Sequence, residues 1–321
     1  MSAFEYFTVI ILVAVVATTL LYLVYPSTLY RWLVAARRKF ARVTCKTVEV
    51  DGIAWPYLEG GPKDAEVLLL VHGFSAEKDH WLAYARFFTK RFRVVIPDLP
   101  GFGQATRSRE LDYGTSAQAS RLDAFLDALG IIGCHVAGNS MGGYILLKLA
   151  LENPSRVRSL TLMDNAGVKG TNKSELELGV ERGENLLKVK SFDDIDRLLA
   201  FTMVKPLIVP GRLKQVVFSQ MAPNVNFWDR LFHGLAGEIL DSPLNSQLPE
   251  VGVPTLVVWG RQDRLIDVSC ADILEEQIPG CESVVFDDVG HMPMVEAPAR
   301  TARRHLAFLK DSTARAEQNS R

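Results

Sequence analysis

The sequence predicts an α/β fold in which helices cover both faces of a mostly parallel sheet. Short apolar stretches alternate with helical stretches between residues 47 and 310. A Gly-x-Ser-x-Gly pentapeptide at residues 138–142 stands between one apolar stretch and one helical stretch. Residues 165–248 break the alternation. Strands that alternate with helices form a doubly wound, mostly parallel sheet, so we expect a core made of residues 47–164 and 249–310.

The composition argues against two classes of partner. The 321 residues include 36 Lys and Arg against 37 Asp and Glu, a net charge of −1, so no nucleic acid is expected to bind. The four cysteines lack Cys-x-x-Cys spacing and the six histidines lack a His-Glu-x-x-His pattern, so no metal is expected. The cysteines are expected to be reduced and buried, although the sequence leaves one disulfide open.

Residues 1–25 are predicted to form a transmembrane anchor. No charged residue occurs between Glu5 and Arg31, and residues 7–25 form an apolar run. A helix of this length rises about 1.5 Å per residue and can cross a hydrocarbon core of about 30 Å. The alternative is a cleaved signal peptide, but no Lys or Arg precedes the run and no clear cleavage site follows it. Aromatic residues typical of a membrane interface cluster at its far end, namely Tyr22, Tyr25, Tyr30 and Trp32.

Residues 26–46 are predicted to form a basic amphipathic helix. Apolar side chains recur every three or four residues, at Leu29, Leu33, Ala36, Phe40 and Val43. Basic side chains fall largely on the other side, at Arg31, Arg38 and Arg42. Such a helix lies against lipid headgroups or pairs with a second copy of itself. A solvated linker helix is the alternative.

The core elements follow from short apolar runs and from helical periodicity. The predicted strands are two that flank a turn at residues 51–52, followed by residues 66–71, 93–97, 134–137, 157–163, 254–259 and 283–286. The predicted helices are residues 81–91, 116–129, 144–150, 268–277 and 299–309. Residues 311–321 are polar and are expected to form a flexible tail.

Residues 165–248 are predicted to form a helical cap. The region has no convincing buried strand, but it has apolar helical stretches at residues 195–201 and 226–232. Because it is inserted between two strands, it should cover the carboxyl edge of the sheet, where α/β proteins bind ligands. The alternative is a structural insertion with no role in the site.

The pentapeptide at residues 138–142 has the features of a sharp turn that presents a nucleophile. A buried strand is predicted before Ser140 and a helix after it, with Asn139 in the same turn. Gly138 and Gly142 are expected where the strained backbone leaves no room for a side chain. The helix points its positive N-terminal end toward Ser140, which favours a developing negative charge.

Two further residues complete a candidate catalytic group. A serine hydroxyl needs a general base, and the base needs an acid that orients it. In folds of this kind the chain order is serine, acid, histidine. Asp263 and His291 each follow a predicted strand in that order, so we predict a triad of Ser140, Asp263 and His291. Asp267 is expected to start a helix, and residues 287–288 lie too close in sequence to the histidine.

Two backbone N–H groups are predicted to form an oxyanion hole. One belongs to Met141, directly after the serine, and the other to Phe74, directly after His72 and Gly73. Gly73 allows this loop to approach closely. His72 is expected to orient the loop rather than to take part in the chemistry.

The chain resembles the α/β-hydrolase superfamily over about residues 47–310. The resemblance lies in residues 72–81 (His-Gly-Phe-Ser-Ala-Glu-Lys-Asp-His-Trp), 138–143 (Gly-Asn-Ser-Met-Gly-Gly) and 259–268 (Trp-Gly-Arg-Gln-Asp-Arg-Leu-Ile-Asp-Val), with the single N-terminal anchor. More narrowly, the chain resembles membrane-anchored monoacylglycerol lipases and a bacterial membrane-bound phospholipase A. The resemblance implies the same triad and oxyanion hole. It also implies hydrolysis of the carboxylic esters of acyl glycerols or lysophospholipids, without a cofactor.

Other functions stay open on the residues alone. Carbon–carbon bond hydrolases and peptidases also use a serine triad, because the triad does not choose the substrate. Dehalogenases and epoxide hydrolases of similar fold use an aspartate at the turn, and Ser140 argues against them. A non-catalytic membrane protein on this scaffold could lose a triad member, whereas here none is missing.

The predicted partners are a fatty-acyl ester substrate, membrane phospholipids and a second copy of the chain that pairs through the anchor and the helix after it. The predicted location is the cell inner membrane. The basic residues after the anchor favour a cytoplasmic catalytic domain by the positive-inside rule, whereas the bacterial relatives imply the periplasm. A basic amphipathic helix binds anionic headgroups on either leaflet, so we prefer the periplasm.

Overall fold

The computed structural model describes residues 2–319, and its eight strands form one sheet. The strands are β1 (Val43–Val50), β2 (Ile53–Gly60), β3 (Val67–Val71), β4 (Arg93–Pro97), β5 (Cys134–Asn139), β6 (Val157–Met163), β7 (Thr255–Gly260) and β8 (Glu282–Phe286). Their order across the sheet is β1-β2-β4-β3-β5-β6-β7-β8. The strands β1, β2 and β4 pair antiparallel, and every pairing from β4 to β8 is parallel. The predicted mostly parallel α/β fold is confirmed.

Twelve helices accompany the sheet within the same described span. They are α1 (Ala3–Val24), α2 (Pro26–Ala41), α3 (Leu82–Ala85), α4 (Thr115–Ala128), α5 (Met141–Glu152), α6 (Glu175–Glu181), α7 (Asp194–Thr202), α8 (Gly211–Met221), α9 (Val225–Asp241), α10 (Ser269–Gln277), α11 (Pro293–Glu296) and α12 (Pro298–Asn319). Most of them connect consecutive parallel strands, as the predicted alternation requires.

Both faces of the central strands are buried. On β3, Leu69 and Val71 belong to one apolar cluster, whereas Leu68 and Leu70 belong to the cluster on the opposite face. Successive residues of a strand point to opposite faces, and parallel sheets have helices on each side. The short apolar runs in the sequence are therefore the strands that helices cover from both directions.

The junction between α2 and the sheet differs from the prediction. The expected helical segment reached residue 46, but α2 ends at Ala41, Arg42 adopts a left-handed conformation with φ 59°, and Val43 already pairs with Gly60 in the sheet. A residue with positive φ ends a helix, because its backbone cannot continue the right-handed turn. The sheet therefore begins within the segment that was predicted to be helical.

The second half of α2 is attached to the core. The Arg38 guanidinium forms two hydrogen bonds to the Asp79 carboxylate, at 2.7 and 2.5 Å. The Thr89 hydroxyl donates to the carbonyl oxygen of Ala41 at 3.0 Å, and Ala41 is fully buried. These contacts make this part of α2 a component of the folded domain rather than a linker.

Two other helices differ from the expected lengths. An α-helix was predicted at residues 81–91, but α3 spans four residues, and the chain continues in turns whose hydrogen bonds mostly join residues three apart. At the other end, α12 continues to Asn319, where a flexible tail from residue 311 was expected. Alanine, arginine, glutamate and glutamine are strong helix formers, which accounts for the longer helix. Residues 320 and 321 lie outside the described part of the chain.

Helix α1 is long and apolar enough to cross a membrane. It begins with a capping box in which Ser2 accepts from the Glu5 N–H and the Glu5 carboxylate accepts from the Ser2 N–H. Nearly all of its side chains are exposed, and only Leu21 and Tyr22 are partly covered. A long apolar helix whose side chains are mostly exposed is a candidate membrane span rather than a core helix.

Helices α6 to α9 lie between β6 and β7, and residues 165–248 of the described chain contain no strand. The Trp228 indole N–H of α9 donates to the Gly101 carbonyl at 2.9 Å. The Glu238 carboxylate of α9 accepts from the Thr115 N–H at 3.0 Å. These bonds attach the helical insertion to the loops at the carboxyl edge of the sheet.

Candidate active site

Ser140 lies at the tip of a strained turn between β5 and α5. Its backbone has φ 56° and ψ −123°, a region that costs about 1–3 kcal/mol for a residue with a side chain. A Cβ on Gly138 would lie 2.6 Å from the backbone of Gly142 and Gly143, and a Cβ on Gly142 would collide with the carbonyl oxygens that end β3. The glycines on both sides of the serine are therefore required by close backbone packing.

The structure brings Asp263 and His291 into contact. Asp263 lies in the loop after β7, and its Oδ2 accepts a hydrogen bond from Nδ1 of His291 at 2.8 Å. The other oxygen, Oδ1, accepts from the N–H groups of Leu265 at 2.7 Å and Ile266 at 3.2 Å. This arrangement puts the proton of the neutral imidazole on Nδ1 and leaves Nε2 free to act as a base.

The backbone of His291 is attached to the serine turn. Its carbonyl oxygen accepts from the Asn139 side-chain amide at 3.0 Å, and its N–H donates to the Thr202 carbonyl at 2.9 Å. Among residues 2–319, the Ser140 hydroxyl makes no hydrogen bond to the imidazole. Catalytic hydrogen bonds are often longer in unliganded sites and shorten when substrate binds.

The competing carboxylates have other partners. Asp267 accepts from the Ser269 N–H at 3.0 Å, two residues before the first residue of α10. Asp287 pairs with Arg261, and Asp288 pairs with Arg300, both at the surface. Only Asp263 among these acids has a hydrogen bond to the histidine.

The two residues whose N–H groups were predicted to form an oxyanion hole lie beside Ser140. The N–H groups of Phe74 and Met141 donate to no other backbone or side-chain group in the described chain, and both residues line the pocket beside Ser140. A Cβ on Gly73 would lie 3.1 Å from the Cβ of Ser140, so this loop passes directly over the serine. Two unpartnered N–H groups beside a nucleophile can bind a developing oxyanion.

Both ring nitrogens of His72 form hydrogen bonds to backbone groups. Its Nδ1–H donates to the Gly73 carbonyl at 2.8 Å, and its Nε2 accepts from the Leu99 N–H at 3.0 Å. Burial lowers the pKa of His72 to about 4, so the ring is neutral. The ring therefore connects the loop after β3 to the loop after β4.

The sequence analysis missed a buried ion pair beneath this loop. Lys78 and Asp98 are both fully buried, with Nζ 2.6 Å from Oδ2. Asp98 also accepts from the N–H groups of Lys78 and Gln104, each at 2.8 Å. The bonds satisfy both oxygens of the carboxylate, so the pair connects two loops of the site. The signal that could have revealed it is an aspartate that directly follows a predicted buried strand.

A second missed residue is Asp164, which directly follows β6. It is fully buried and has a positive φ of 44°. Its Oδ1 accepts from the Gly260 N–H at 2.8 Å, and its carboxyl group lies within 4.8 Å of the ligand atoms of Asp263 and His291. Burial and the adjacent Asp263 raise the pKa of Asp164 well above its usual range. The sequence marks it only as an acid at a strand end.

An apolar pocket of about 760 Å³, counting the space open to solvent, lies between the core and the insertion. The core lines it with Phe74, Ser140 and Met141. The insertion lines it with aliphatic and aromatic side chains, including Leu176, Val180, Leu187, Phe232, Leu235 and Ile239. The serine is therefore next to a surface that favours a long hydrocarbon group over a polar one.

Known proteins resemble this chain over most of its length. Lipase 1 of Psychrobacter immobilis is 34% identical over 253 residues, which are 78% of this chain and 79% of that lipase. Human monoacylglycerol lipase ABHD6 is 28% identical over 298 residues, which are 90% of this chain and 88% of that lipase. The solved structure of a membrane phospholipase A, a bacterial virulence factor, superposes with a TM-score of 0.87 at 38% identity and covers 96% of this chain and 99% of its own.

The chain also matches a family of known proteins. The model of the alpha/beta hydrolase family matches residues 68–304. The match runs from β3 into α12 and includes Ser140, Asp263 and His291. The sheet order, the sharp turn at the serine and this match agree, and the chain belongs to the α/β-hydrolase family.

Proposed function

We propose that the protein is a membrane-anchored serine hydrolase that cleaves the carboxylic esters of lipids through an acyl-enzyme. The observation that carries the proposal is Ser140 at a strained turn, next to two unpartnered N–H groups and an apolar pocket. The relatives named lipase, monoacylglycerol lipase and phospholipase A support the same class of substrate. The three activities share a fatty-acyl ester as the bond that breaks.

The proposed reaction has two steps. His291 Nε2 removes the proton of the Ser140 hydroxyl as the oxygen attacks the ester carbonyl carbon, and Asp263 stabilises the imidazolium. The N–H groups of Phe74 and Met141 bind the oxyanion. The imidazolium gives its proton to the departing alcohol oxygen, which leaves an acyl-serine. A water molecule, deprotonated by the same nitrogen, then attacks the acyl-serine, and the fatty acid and the free serine are released.

The pocket indicates how the substrate lies. Its one charged lining residue is Glu177, whose carboxylate accepts from the Ser174 N–H at 2.8 Å at the start of α6. The described lining therefore presents no cationic side chain to a phosphate. We propose that the acyl chain occupies the pocket and that the head group stays outside it. This pose suits phospholipase A, lysophospholipase and monoacylglycerol lipase activity alike.

The test of this proposal is covalent labelling together with hydrolysis. A fluorophosphonate probe should label the wild-type protein and not Ser140→Ala. The same substitution should reduce hydrolysis of a short p-nitrophenyl ester by a factor on the order of 10⁶. Fatty-acid release from vesicles that contain a monoacylglycerol, a lysophospholipid or a diacyl phospholipid would then rank the substrates. Labelling of Ser140→Ala, or substantial activity in the pure variant, would refute the assignment.

We propose that α1 is a single-pass anchor in the cell inner membrane, that α2 lies against the lipid headgroups, and that the catalytic domain is periplasmic. Trp32, Leu33 and Phe40 of α2 are exposed, which supports contact with lipid or with a second copy. Alkaline phosphatase fused after the last residue should be active in cells, and a fluorescent protein fused there should be dark. The opposite pair of results would place the domain in the cytoplasm.

We further propose that a homodimer forms through α1 and α2. The exposed apolar side chains of α2 would be buried between two copies, as in an isologous interface. Crosslinking in detergent should give a dimer for the full chain and a monomer for the double variant Leu33→Glu, Phe40→Glu. A dimer that persists in this variant would contradict the proposed interface.

A further inference from the structure

The segment between α7 and α8 exposes two adjacent apolar side chains. Leu207 is 57% exposed and Ile208 is 97% exposed, between Pro206 and Pro210. Outside residues 2–41 of the described chain, the only other large apolar side chain that is more than half exposed is Ile132. We refer to residues 206–210 as the prolyl loop. Adjacent exposed apolar side chains are a feature of surfaces that contact a membrane or another protein.

The prolyl loop lies near the end of α1. At the start of α8, the Arg212 N–H donates to the Tyr22 hydroxyl oxygen at 3.3 Å. Tyr22 is two residues from the C-terminal end of α1, where the helix would leave the hydrocarbon. Ile208 is four residues before Arg212, and four residues span at most about 14 Å. The loop is therefore close to the level of the membrane surface.

The other end of this segment is attached to the catalytic histidine loop. The Val204 N–H donates to the Glu296 carboxylate at 2.7 Å, and the same carboxylate accepts from the Gly290 N–H at 3.0 Å. The Thr202 carbonyl accepts from the His291 N–H at 2.9 Å. Residues 202–212 therefore connect the histidine to the anchor.

We propose that the prolyl loop is a second membrane contact, in which Leu207 and Ile208 insert into the lipid beside α1. The proposal rests on the membrane anchoring proposed above. Burial of a large aliphatic side chain in an apolar environment is favourable, and two prolines limit the entropy that the loop loses on insertion. Lys205 and Arg212 flank the loop with positive charge, which anionic headgroups attract.

A fluorescent label tests the depth of the loop in the full chain. Cys45→Ser and Cys281→Ser remove the thiols that are not buried, and Ile208→Cys then carries an environment-sensitive dye. The matched control is Ile132→Cys, because Ile132 is 87% exposed and lies before β5, at the edge of the sheet opposite Ser140. In phosphatidylglycerol vesicles, the dye at 208 should shift to the blue and be quenched by lipids with brominated acyl chains. The dye at 132 should do neither.

The same samples separate this proposal from the proposed function. Vesicle flotation reports anchoring, and hydrolysis of a soluble ester reports the triad. A protein that floats and is active, but whose dye at 208 emits as in water, would overturn the membrane contact alone. A protein that does not float would overturn the anchoring, and the loop contact with it.

A second buried carboxylate, that of Asp164, lies beside Asp263. Asp164 is fully buried, and its Oδ2 has no hydrogen-bond donor in the described chain. Asp263 accepts three hydrogen bonds, whereas Asp164 accepts one, from Gly260. Two buried carboxylates at this separation cannot both be ionised without a large cost, and the better-solvated one keeps the charge.

We infer that Asp164 is a positioning residue whose protonated Oδ2 donates a hydrogen bond to the Asp263 carboxylate. This bond would hold Asp263 in line with His291 and spread its negative charge. The strained backbone of Asp164, with φ 44°, is consistent with a side chain held in place for such a contact. The residue acts through Asp263 and does not touch the substrate.

Two substitutions at this position test the inference. Asp164→Asn keeps an acceptor for the Gly260 N–H and a donor for Asp263, so activity and the acidic limb of the kcat/KM profile should match wild type. Asp164→Ala removes the donor, so kcat should fall about tenfold or more and the acidic limb should move to higher pH, because Asp263 becomes more basic.

The Asp164→Asn variant tests the protonation state of Asp164 even if the Asp164→Ala variant does not fold. If Asp164 were ionised, Asp164→Asn would remove a negative charge beside the imidazolium. The acidic limb would then move to lower pH, and that result would overturn the inference. A merely structural role would change stability without moving this limb.

Discussion

At the scale of the residue, the hydrogen bond to His291 distinguishes Asp263 from the other carboxylates as the candidate orienting acid. The Asp263 carboxylate is 2.8 Å from Nδ1 of His291, whereas the Asp267 carboxylate accepts from the Ser269 N–H. Asp263→Asn should therefore reduce kcat by about 10⁴-fold, because an asparagine amide stabilises the wrong tautomer of the histidine. Asp267→Asn should have little effect. Steady-state hydrolysis of a soluble ester by both variants measures this, and the reverse ranking would show that the acid is misassigned.

A buried histidine far from the site should make the fold acid-sensitive. Burial lowers the pKa of His305 from 6.5 to about 3, and its Nδ1 accepts from the Tyr84 hydroxyl at 2.5 Å. The folded state keeps the ring neutral while the unfolded chain takes up a proton below pH 6.5. His305 therefore does not lower the free energy of unfolding above pH 6.5. Below that pH it lowers the free energy of unfolding by about 1.4 kcal/mol per pH unit.

The variant His305→Gln tests this linkage. Glutamine can accept from Tyr84 but does not titrate, so the variant should be less stable at pH 7 and lose stability less steeply between pH 6 and pH 4. Thermal unfolding in detergent across this range measures the two slopes. Equal slopes would mean that His305 is charged in the folded protein.

At the scale of the element, the serine turn depends on contact between the backbones of β5, α5 and β3. A Cβ on Gly138 would overlap the first turn of α5. Gly138→Ala should therefore displace Ser140 from the oxyanion donors and reduce kcat by about 10²-fold or more. The protein should still fold, because the sheet around the turn is otherwise unchanged.

The matched control for this substitution is Gly234→Ala in α9. A Cβ on Gly234 meets nothing within 4 Å, and alanine is favoured over glycine in a helix by about 0.5–1 kcal/mol. This variant should be fully active and slightly more stable. Activity and melting temperature measured side by side check both substitutions. An active Gly138→Ala would show that the turn tolerates a side chain there.

At the scale of the whole molecule, α2 joins the proposed anchor to the folded catalytic domain. The core predicted from the sequence begins at residue 47, so removal of residues 1 to 43 is expected to leave it folded. The structure shows instead that the Arg38 guanidinium pairs with Asp79, whose side chain is 8% exposed, and that Val43 begins β1. A buried carboxylate without its partner costs several kcal/mol.

Two deletions should therefore behave differently. Deletion of residues 2–25 should give a stable protein that hydrolyses soluble esters at the wild-type rate and loses most of its activity on vesicle lipid. Deletion of residues 2–43 should lower the melting temperature as well. Thermal unfolding and the two ester assays on both proteins measure this. Equal melting temperatures, or full vesicle activity without α1, would contradict it.

The sequence by itself determined the fold class and the candidate triad. The strands of a doubly covered sheet are short apolar runs, which are visible locally, and Ser140, Asp263 and His291 each follow one of them. The carboxyl ends of parallel strands meet at one edge, so chain order alone predicts that these side chains converge. The role of the glycines in the serine turn can also be predicted from the sequence, because it depends on the local backbone conformation.

The tertiary structure alone decided the contacts between distant segments. The proximity of Asp164 to Asp263, the buried pair of Lys78 and Asp98, and the attachment of α2 through Asp79 join residues that no local pattern relates. Periodicity reports which face of an element is apolar, but not which element covers it. For the same reason, the pocket beneath α9 and the position of the prolyl loop beside Tyr22 followed only from the packed chain.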